Sequence, residues 1–317
     1  MKNFISVKDV SNFDQLIESA RKIKANPLEN VKLGKNKTMV LLFFNPSLRT
    51  RLSTQKAALN LGMQVLPMNV SQGWGLEFED GTIMNLDKAE HVKEAAAVIS
   101  QYADIIGIRT FAGLKDRALD YEDRVINQFI KYATVPVVNL ESAVLHPLQS
   151  FTDLFTIESY KKKPRPKVVL SWAPHPRALP QAVANSFLDW MQKTDYEIVV
   201  THPKGYELST EFTEGSTIEY DQQNAFAGAD FIYTKNWSSY EDYGKILSTE
   251  PDWMITQEKM KLTNDAYFMH CLPVRRNVVV ADAVIDSNRS LVIEQAGNRA
   301  VTAQTVLVEL LRGLRVY

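Results

Sequence analysis

The sequence predicts an α/β protein built as two doubly wound, parallel-sheet domains of similar size. Three observations predict it. Short apolar runs rich in β-branched residues alternate with amphipathic stretches, the pattern of parallel strands joined by crossover helices. The chain has 317 residues, enough for two domains of roughly 150 residues each. Near its middle the basic, proline-rich run Lys161-Lys162-Lys163-Pro164-Arg165-Pro166 ends one helical pattern and resets the chain into a new strand. Its charge needs no more than a solvated turn.

The first helix is signalled by Phe13, Leu16, Ile17, Ala20 and Ile23 at helical spacing, with Ser11 or Asn12 as N-cap. Strands are expected at 38–44, 64–68, 104–109 and 135–139, with helices at 50–61, 90–102 and 121–133. A helix over 148–160 joins the halves and is placed to belong to both. Beyond it, strands are expected at 167–172, 196–201, 230–234, 267–270 and 290–293, with a helix at 179–193. A last helix carries Val301, Thr305, Val308 and Leu311 on one face. These elements divide the chain into domains 1–148 and 149–317, with the helix over 301–313 returning to the first domain.

Formal net charge is -1, so no global field favours nucleic acid or an anionic membrane, and neither is expected as a partner. Any phosphate site must be local. The amino terminus lacks the apolar core of a signal peptide, and no apolar run reaches membrane-spanning length. The single cysteine, Cys271, has no partner for an internal disulfide, which suits a reducing, cytoplasmic setting. The histidines show no metal-ligand spacing, so no metal and no cofactor are expected.

Four segments carry chemistry, each ending or following a predicted strand. In Ser47-Leu48-Arg49-Thr50 a helix begins with unpaired backbone N–H groups, two hydroxyls and a guanidinium suited to phosphate oxygens. It lacks a nucleotide loop's glycines, so a small phosphate fits better; an ordinary capped helix start fits equally. Arg109 ends a strand, where open α/β sheets bind ligands, although a surface salt bridge would explain it too. In His146-Pro147-Leu148-Gln149, His146 is placed to donate to a carbonyl oxygen that gains charge. Gln149 is placed to accept from an NH2 group; both residues also suit helix capping. Last comes His270-Cys271-Leu272-Pro273, where Cys271 without a resolving partner reads as an inert thiol more readily than as a nucleophile.

Together these segments resemble the aspartate/ornithine carbamoyltransferase family, whose Ser-x-Arg-Thr, His-Pro-x-Gln and, in the ornithine branch, His-Cys-Leu-Pro motifs stand here in order. Each tetrapeptide is weak alone, and the resemblance spans nearly the whole chain. It implies carbamoyl phosphate as one substrate, on Ser47, Leu48, Arg49, Thr50, Arg109, His146, Pro147, Leu148 and Gln149, with Arg299 as a further anion contact. It places the catalytic work on Arg109, His146, Gln149 and Cys271, with Cys271 and Leu272 carbonyls on the carbamoyl NH2. The acyl acceptor is expected near Glu141, His175, Lys235, Cys271, Leu272 and Arg275.

One departure is informative. Where ornithine enzymes carry Asp and a Ser-Met-Gly loop for the free α-amine, this chain reads Lys235-Asn236-Trp237-Ser238-Ser239. A lysine repels an ammonium and suits a carboxylate, so the substrate amine should be acylated. This resembles the N-acylornithine branch, as does the loop Gln72-Gly73-Trp74-Gly75. There the tryptophan reaches a neighbouring subunit's carbamoyl phosphate site in a homotrimer, with active sites at subunit interfaces. Acetyl enzymes place a glutamate in a loop of the first domain where succinyl enzymes have a proline. Here Lys88-Ala89-Glu90-His91 puts Ala89 at that point, leaving room for a succinyl carboxylate. A register shift by one would bring Glu90 instead and favour acetyl. The resemblance therefore implies carbamoyl transfer to N-succinylornithine in arginine synthesis. The alternatives are N-acetylornithine or a catalytically silent anion-binding paralogue; a dinucleotide-binding dehydrogenase would need the missing Gly-x-Gly-x-x-Gly.

Overall fold

The structure, a computed structural model, describes residues 1–70 and 74–314; Gln72 and Gly73 of the tryptophan loop lie outside the described residues. Contacts divide the chain into two units. The first holds Met1–Ala112, Ala118–Leu148 and the chain from Arg299 on; the second holds Gly113–Arg117 and Gln149–Asn298.

The first unit contains strands β1 (Thr38–Phe43), β2 (Gln64–Asn69), β3 (Leu76–Glu77), β4 (Glu90–His91), β5 (Ile105–Arg109) and β6 (Val137–Glu141). Helices α1 (Phe13–Ala25), α2 (Arg49–Asn60), α3 (Val92–Tyr102) and α4 (Arg124–Tyr132) accompany them. The main sheet is parallel in the order β2-β1-β5-β6, while β3 and β4 form a separate parallel pair. The order reverses between β1 and β5. A crevice opens at the carboxyl ends of strands at such a reversal, so Phe43 and Arg109 end where a ligand is favoured. Val40 and Leu42 of β1, Ile106 and Ile108 of β5, and Val92, Ala96, Ile126 and Phe129 from the helices share one core.

The second unit holds most of α5 (Pro147–Tyr160), then β7 (Lys167–Trp172), α6 (Ala182–Met191), β8 (Glu197–Thr201), β9 (Thr217–Glu219), β10 (Phe231–Lys235) and β11 (Tyr267–Met269). The start of α7 (Val292–Leu314) belongs here too. Its parallel sheet runs β11-β10-β7-β8-β9, with the reversal between β7 and β10. Trp172 and Lys235 end the two strands at that point. Val169, Val199, Phe226, Ile232 and Phe268 are the centre of its core.

Several expectations need correction. The strand expected at 64–68 extends by one residue to Asn69 and lies at the sheet edge, where β2 pairs with β1 and Leu66 and Met68 stay half exposed. The helix expected over 121–133 breaks at Asp123, whose φ of 48° is left-handed, and α4 starts after it. The helix expected from 90 starts at Val92, because Glu90 and His91 pair with Leu76 and Glu77 and the His91 ring accepts from Lys93 N–H. No strand forms over 290–293. Ser290 makes an isolated bridge to Phe268, and Leu291-Val292 leads directly into α7, since a short apolar run does not distinguish strand from helix. The last helix therefore begins nine residues before the expected Val301. From Arg299 on it packs in the first unit: Asn60 Nδ2 donates to Gln304 Oε1 at 2.9 Å, and Gln304 Nε2 donates to the Pro27 carbonyl at 2.6 Å.

Candidate active site

In the first unit the chain leaves β1 through Asn45-Pro46-Ser47 and enters α2 at Arg49. Leu48, the N-cap, makes no side-chain cap hydrogen bond, and the first turn of α2 has no acidic residue. That turn thus keeps the positive end of its dipole uncompensated by side chains. A cavity of about 410 Å³ opens here, lined by Phe43, Asn45, Ser47, Leu48, Arg51 and Asn69. Thr50 is buried, and its Oγ1 accepts from Arg299 Nη2 at 2.8 Å. This contact joins residues 249 positions apart and brings a second guanidinium to the helix start.

Arg109 is 6% exposed. Its Nη1 donates to the carbonyls of Asn45 (3.0 Å) and Pro46 (2.7 Å), and its Nε donates to Glu141 Oε2 at 3.2 Å. Its Nη2 lies 3.0 Å from the same carboxylate oxygen, and its guanidinium stacks 4.1 Å above the Phe111 ring. The arginine thereby fixes the loop before α2. Glu141, expected with the acyl acceptor, is its ion-pair partner and also lies 3.7 Å from His146 Nε2. His146, immediately before α5, is 3% exposed. The loop leading to it is tied down by Asp123: Ser142 Oγ donates at 2.5 Å and Ala143 N–H at 3.1 Å. Burial nevertheless pushes the Asp123 carboxyl up to about 6, against the lowering effect of those hydrogen bonds.

Trp74 is 56% exposed, and its indole N–H donates to Glu90 Oε2 at 2.8 Å. Ala89 N–H donates to the Gly75 carbonyl at 2.9 Å, a bond that a proline at this position has no hydrogen to make. Ala89 is exposed and Glu90 half-buried.

In the second unit Gln149 lies on the first turn of α5, 1% exposed, with Nε2 donating to Asp153 Oδ1 at 2.7 Å. Beyond β11, Leu272 N–H donates to His270 Nδ1 at 2.9 Å, which turns the chain at Leu272 (φ 53°) into a cis bond to Pro273. Cys271 is buried. At the end of β10, Lys235 follows a fully buried β-strand, and its neighbour Asn236 donates to the Ala173 carbonyl at 2.9 Å. Arg275 Nε donates to His175 Nε2 at 3.2 Å. Burial holds the His175 ring below its usual pKa, and the charges of Arg275, Lys235 and Arg177 lower it further; a backbone hydrogen bond to Arg177 opposes them. The imidazole is therefore a neutral acceptor in a cationic neighbourhood. Among the described residues no three His, Cys, Asp or Glu side chains cluster for a metal ion, and no helix is long and apolar enough to cross a membrane.

The structure thus brings Arg109, Glu141 and His146 together, joins Thr50 to Arg299, and gathers His175, Lys235 and Arg275. It adds Asp123, Asp153 and Arg177, which motif reading missed. Only Asp153 had a signal: it stands four residues after Gln149, one helical turn away on the same face.

Residues 2–159 match the carbamoyl-P binding domain of aspartate/ornithine carbamoyltransferase, and residues 180–310 match its Asp/Orn binding domain. The N-succinylornithine carbamoyltransferase of Bacteroides thetaiotaomicron is 54% identical over 317 residues, covering 99% of this chain and 100% of that protein. A crystal structure of acetylornithine transcarbamylase complexed with acetylcitrulline matches with a TM-score of 0.92 at 34% identity, over 98% of this chain and 99% of the other. So does a glutamate-to-alanine mutant of N-acetyl-L-ornithine transcarbamylase complexed with carbamyl phosphate and N-succinyl-L-norvaline, with a TM-score of 0.90 at 34% identity, over 98% and 100%. With both domain models matched and the full length of these relatives covered, the chain belongs to the aspartate/ornithine carbamoyltransferase family.

Proposed function

We propose that the chain transfers a carbamoyl group from carbamoyl phosphate to the δ-amine of N-succinyl-L-ornithine, giving N-succinyl-L-citrulline and phosphate, as a cytoplasmic step of arginine synthesis. The observation that carries the reading is the cationic group of Lys235, Arg275 and Arg177 around the neutral His175. It suits an acceptor that bears carboxylates and no free α-ammonium. N-succinylornithine carries two carboxylates, its α-carboxylate and its succinyl end. The high identity to an enzyme named for this substrate supports the reading, and so does the capture of a related N-acetyl-L-ornithine transcarbamylase, with one glutamate replaced by alanine, in complex with N-succinyl-L-norvaline.

In this reading the phosphate rests on Ser47, the Leu48 N–H, Arg49 and Thr50, with Arg299 behind Thr50. Arg109, His146 and Thr50 polarise the carbonyl oxygen, while Pro147 and Leu148 carry the helix start from His146 to Gln149. Gln149 and the Cys271 and Leu272 carbonyls accept from the carbamoyl NH2. The α-carboxylate is taken by Lys235 and Arg275, and the acyl arm runs toward His175. The neutral δ-amine attacks the carbonyl carbon, a C–N bond forms, and the oxyanion collapses as the C–O bond to phosphate breaks. The amine's extra proton passes to the departing phosphate, with no covalent enzyme intermediate. Catalysis then rests on positioning and on donors aimed at the developing oxyanion.

The same reaction on N-acetyl-L-ornithine is the second reading, favoured only by the Glu90 carboxylate one residue from Ala89. That carboxylate is already turned to the Trp74 indole. Lys235→Ala should raise KM for the acylornithine about 10- to 100-fold, the effect of losing a charge-assisted hydrogen bond, and leave KM for carbamoyl phosphate within about twofold. An equal loss for both substrates would remove Lys235 from the acceptor site.

A homotrimer completes the reading, with Trp74 serving a neighbouring subunit's carbamoyl phosphate. The exposed apolar side chains of Leu48 and Leu52 on α2, Met68 on β2, and Trp74, Ile83 and Leu86 support it, because each offers apolar surface that a neighbouring subunit would cover. Sedimentation should give three chains per particle, and Trp74→Ala should weaken carbamoyl phosphate binding. A fully active monomer contradicts this assembly.

A further inference from the structure

We infer that Asp153 is a positioning residue that sets which end of the Gln149 amide faces the carbamoyl group; the inference rests on the role proposed for Gln149. An amide side chain has a donor end and an acceptor end of nearly equal shape, and only the oxygen can receive a carbamoyl NH2. Nothing in Gln149 itself selects that end. The selection comes from Asp153, one turn later on α5 and fully buried. Its Oδ1 accepts from Gln149 Nε2 at 2.7 Å. A carboxylate offers only acceptors, so it holds the amide nitrogen and leaves the oxygen on the other side of the amide.

Asp153 is itself held from a second direction. The same Oδ1 accepts from Gln295 Nε2 at 2.6 Å, and Gln295 Oε1 accepts from the His270 N–H at 3.0 Å. The carboxylate is thus anchored by α7 and by the chain leaving β11. From β10 the fully buried Tyr233 phenol faces it, and the Cys271 thiol lies beside that phenol. Burial first, and then the charge of Asp153, keep the phenol well above its usual pKa and hence protonated. A site this crowded and dry leaves the carboxylate one arrangement, and Gln149 inherits it.

Asparagine at position 153 would keep the volume and lose the selection. In one of its two flips it presents an N–H to Gln149, which then turns its own nitrogen toward the substrate. The test is a double-mutant cycle of Asp153→Asn and Gln149→Ala, read as kcat/KM for carbamoyl phosphate. Gln149→Ala alone should cost about 100-fold. Asp153→Asn should cost about 10- to 100-fold in the parent and less than about threefold once Gln149 is already alanine. Equal losses in both backgrounds would overturn the positioning role and show a general structural one. Full activity of Gln149→Ala would instead overturn the role of Gln149, and this inference with it.

If Asp153→Asn does not fold, Gln149→Glu makes the test from the other side. Two carboxyl groups at this spacing share one proton, so the pH profile of kcat/KM should gain a new ionisation between about pH 5 and 9. A profile of unchanged shape would overturn the contact as functional.

Discussion

Arg49→Ala is expected to lower kcat/KM for carbamoyl phosphate by about 100- to 1000-fold, the usual loss when one donor to a reacting anion is removed. The chain has no general positive field, with a net charge of -1, so capture of the anion depends on a few local groups. At the start of α2 these are an N-terminal turn without acidic residues, the Ser47 and Thr50 hydroxyls, and the Arg49 fork. Lysine keeps the charge but not the paired N–H geometry, so Arg49→Lys should recover only part of the loss. Steady-state phosphate release at low carbamoyl phosphate checks both variants. Activity of Arg49→Ala within a few-fold of the parent would remove the phosphate from this helix start.

Arg109→Ala should be worse, because it combines two losses. It removes the donor proposed for the reacting carbonyl and leaves Glu141 buried without its ion-pair partner. Breaking a buried pair from one side typically costs about 3–5 kcal/mol of stability, whatever the pair contributes when intact. It also frees the Asn45 and Pro46 carbonyls, so the loop ahead of α2 loses its anchor. Urea unfolding should show the stability loss, and kcat/KM of the folded fraction should fall more than about 100-fold. Arg109→Ala with Glu141→Gln should regain stability, since the stranded charge is gone, and regain no activity. Activity returning with stability would make Arg109 a structural residue.

The sheets were legible because their strands are continuous apolar runs. β7 matches its expected span residue for residue, and β1 differs only by its last residue. The site segments were legible for a related reason: each ends or follows a strand, where an open parallel sheet presents its ligand groups. What local pattern does not encode is pairing across long separations. Nothing near Arg109 announces Glu141, and nothing near Asp153 announces Gln295, because these contacts exist only once the sheets are assembled. Glu141 reads as an acceptor contact from its own segment, and its ion pair with Arg109 is visible only in the fold. The edge position of β2 was hidden for the same reason, since sheet order decides which apolar strand remains exposed. Asp123 escaped because its left-handed backbone belongs to a residue type common in such turns, and no spacing rule marks which aspartate will use it.

The most direct test compares carbamoyl phosphate-dependent phosphate release with N-succinylornithine, N-acetylornithine and free ornithine under one set of conditions. The cationic surroundings of His175 and the neutral Ala89 predict highest kcat/KM for the succinyl compound, with free ornithine the poorest because Lys235 repels its ammonium. Preference for free ornithine would contradict the reading of Lys235. Preference for the acetyl compound would place the Glu90 carboxylate at the acyl group and contradict the succinyl assignment.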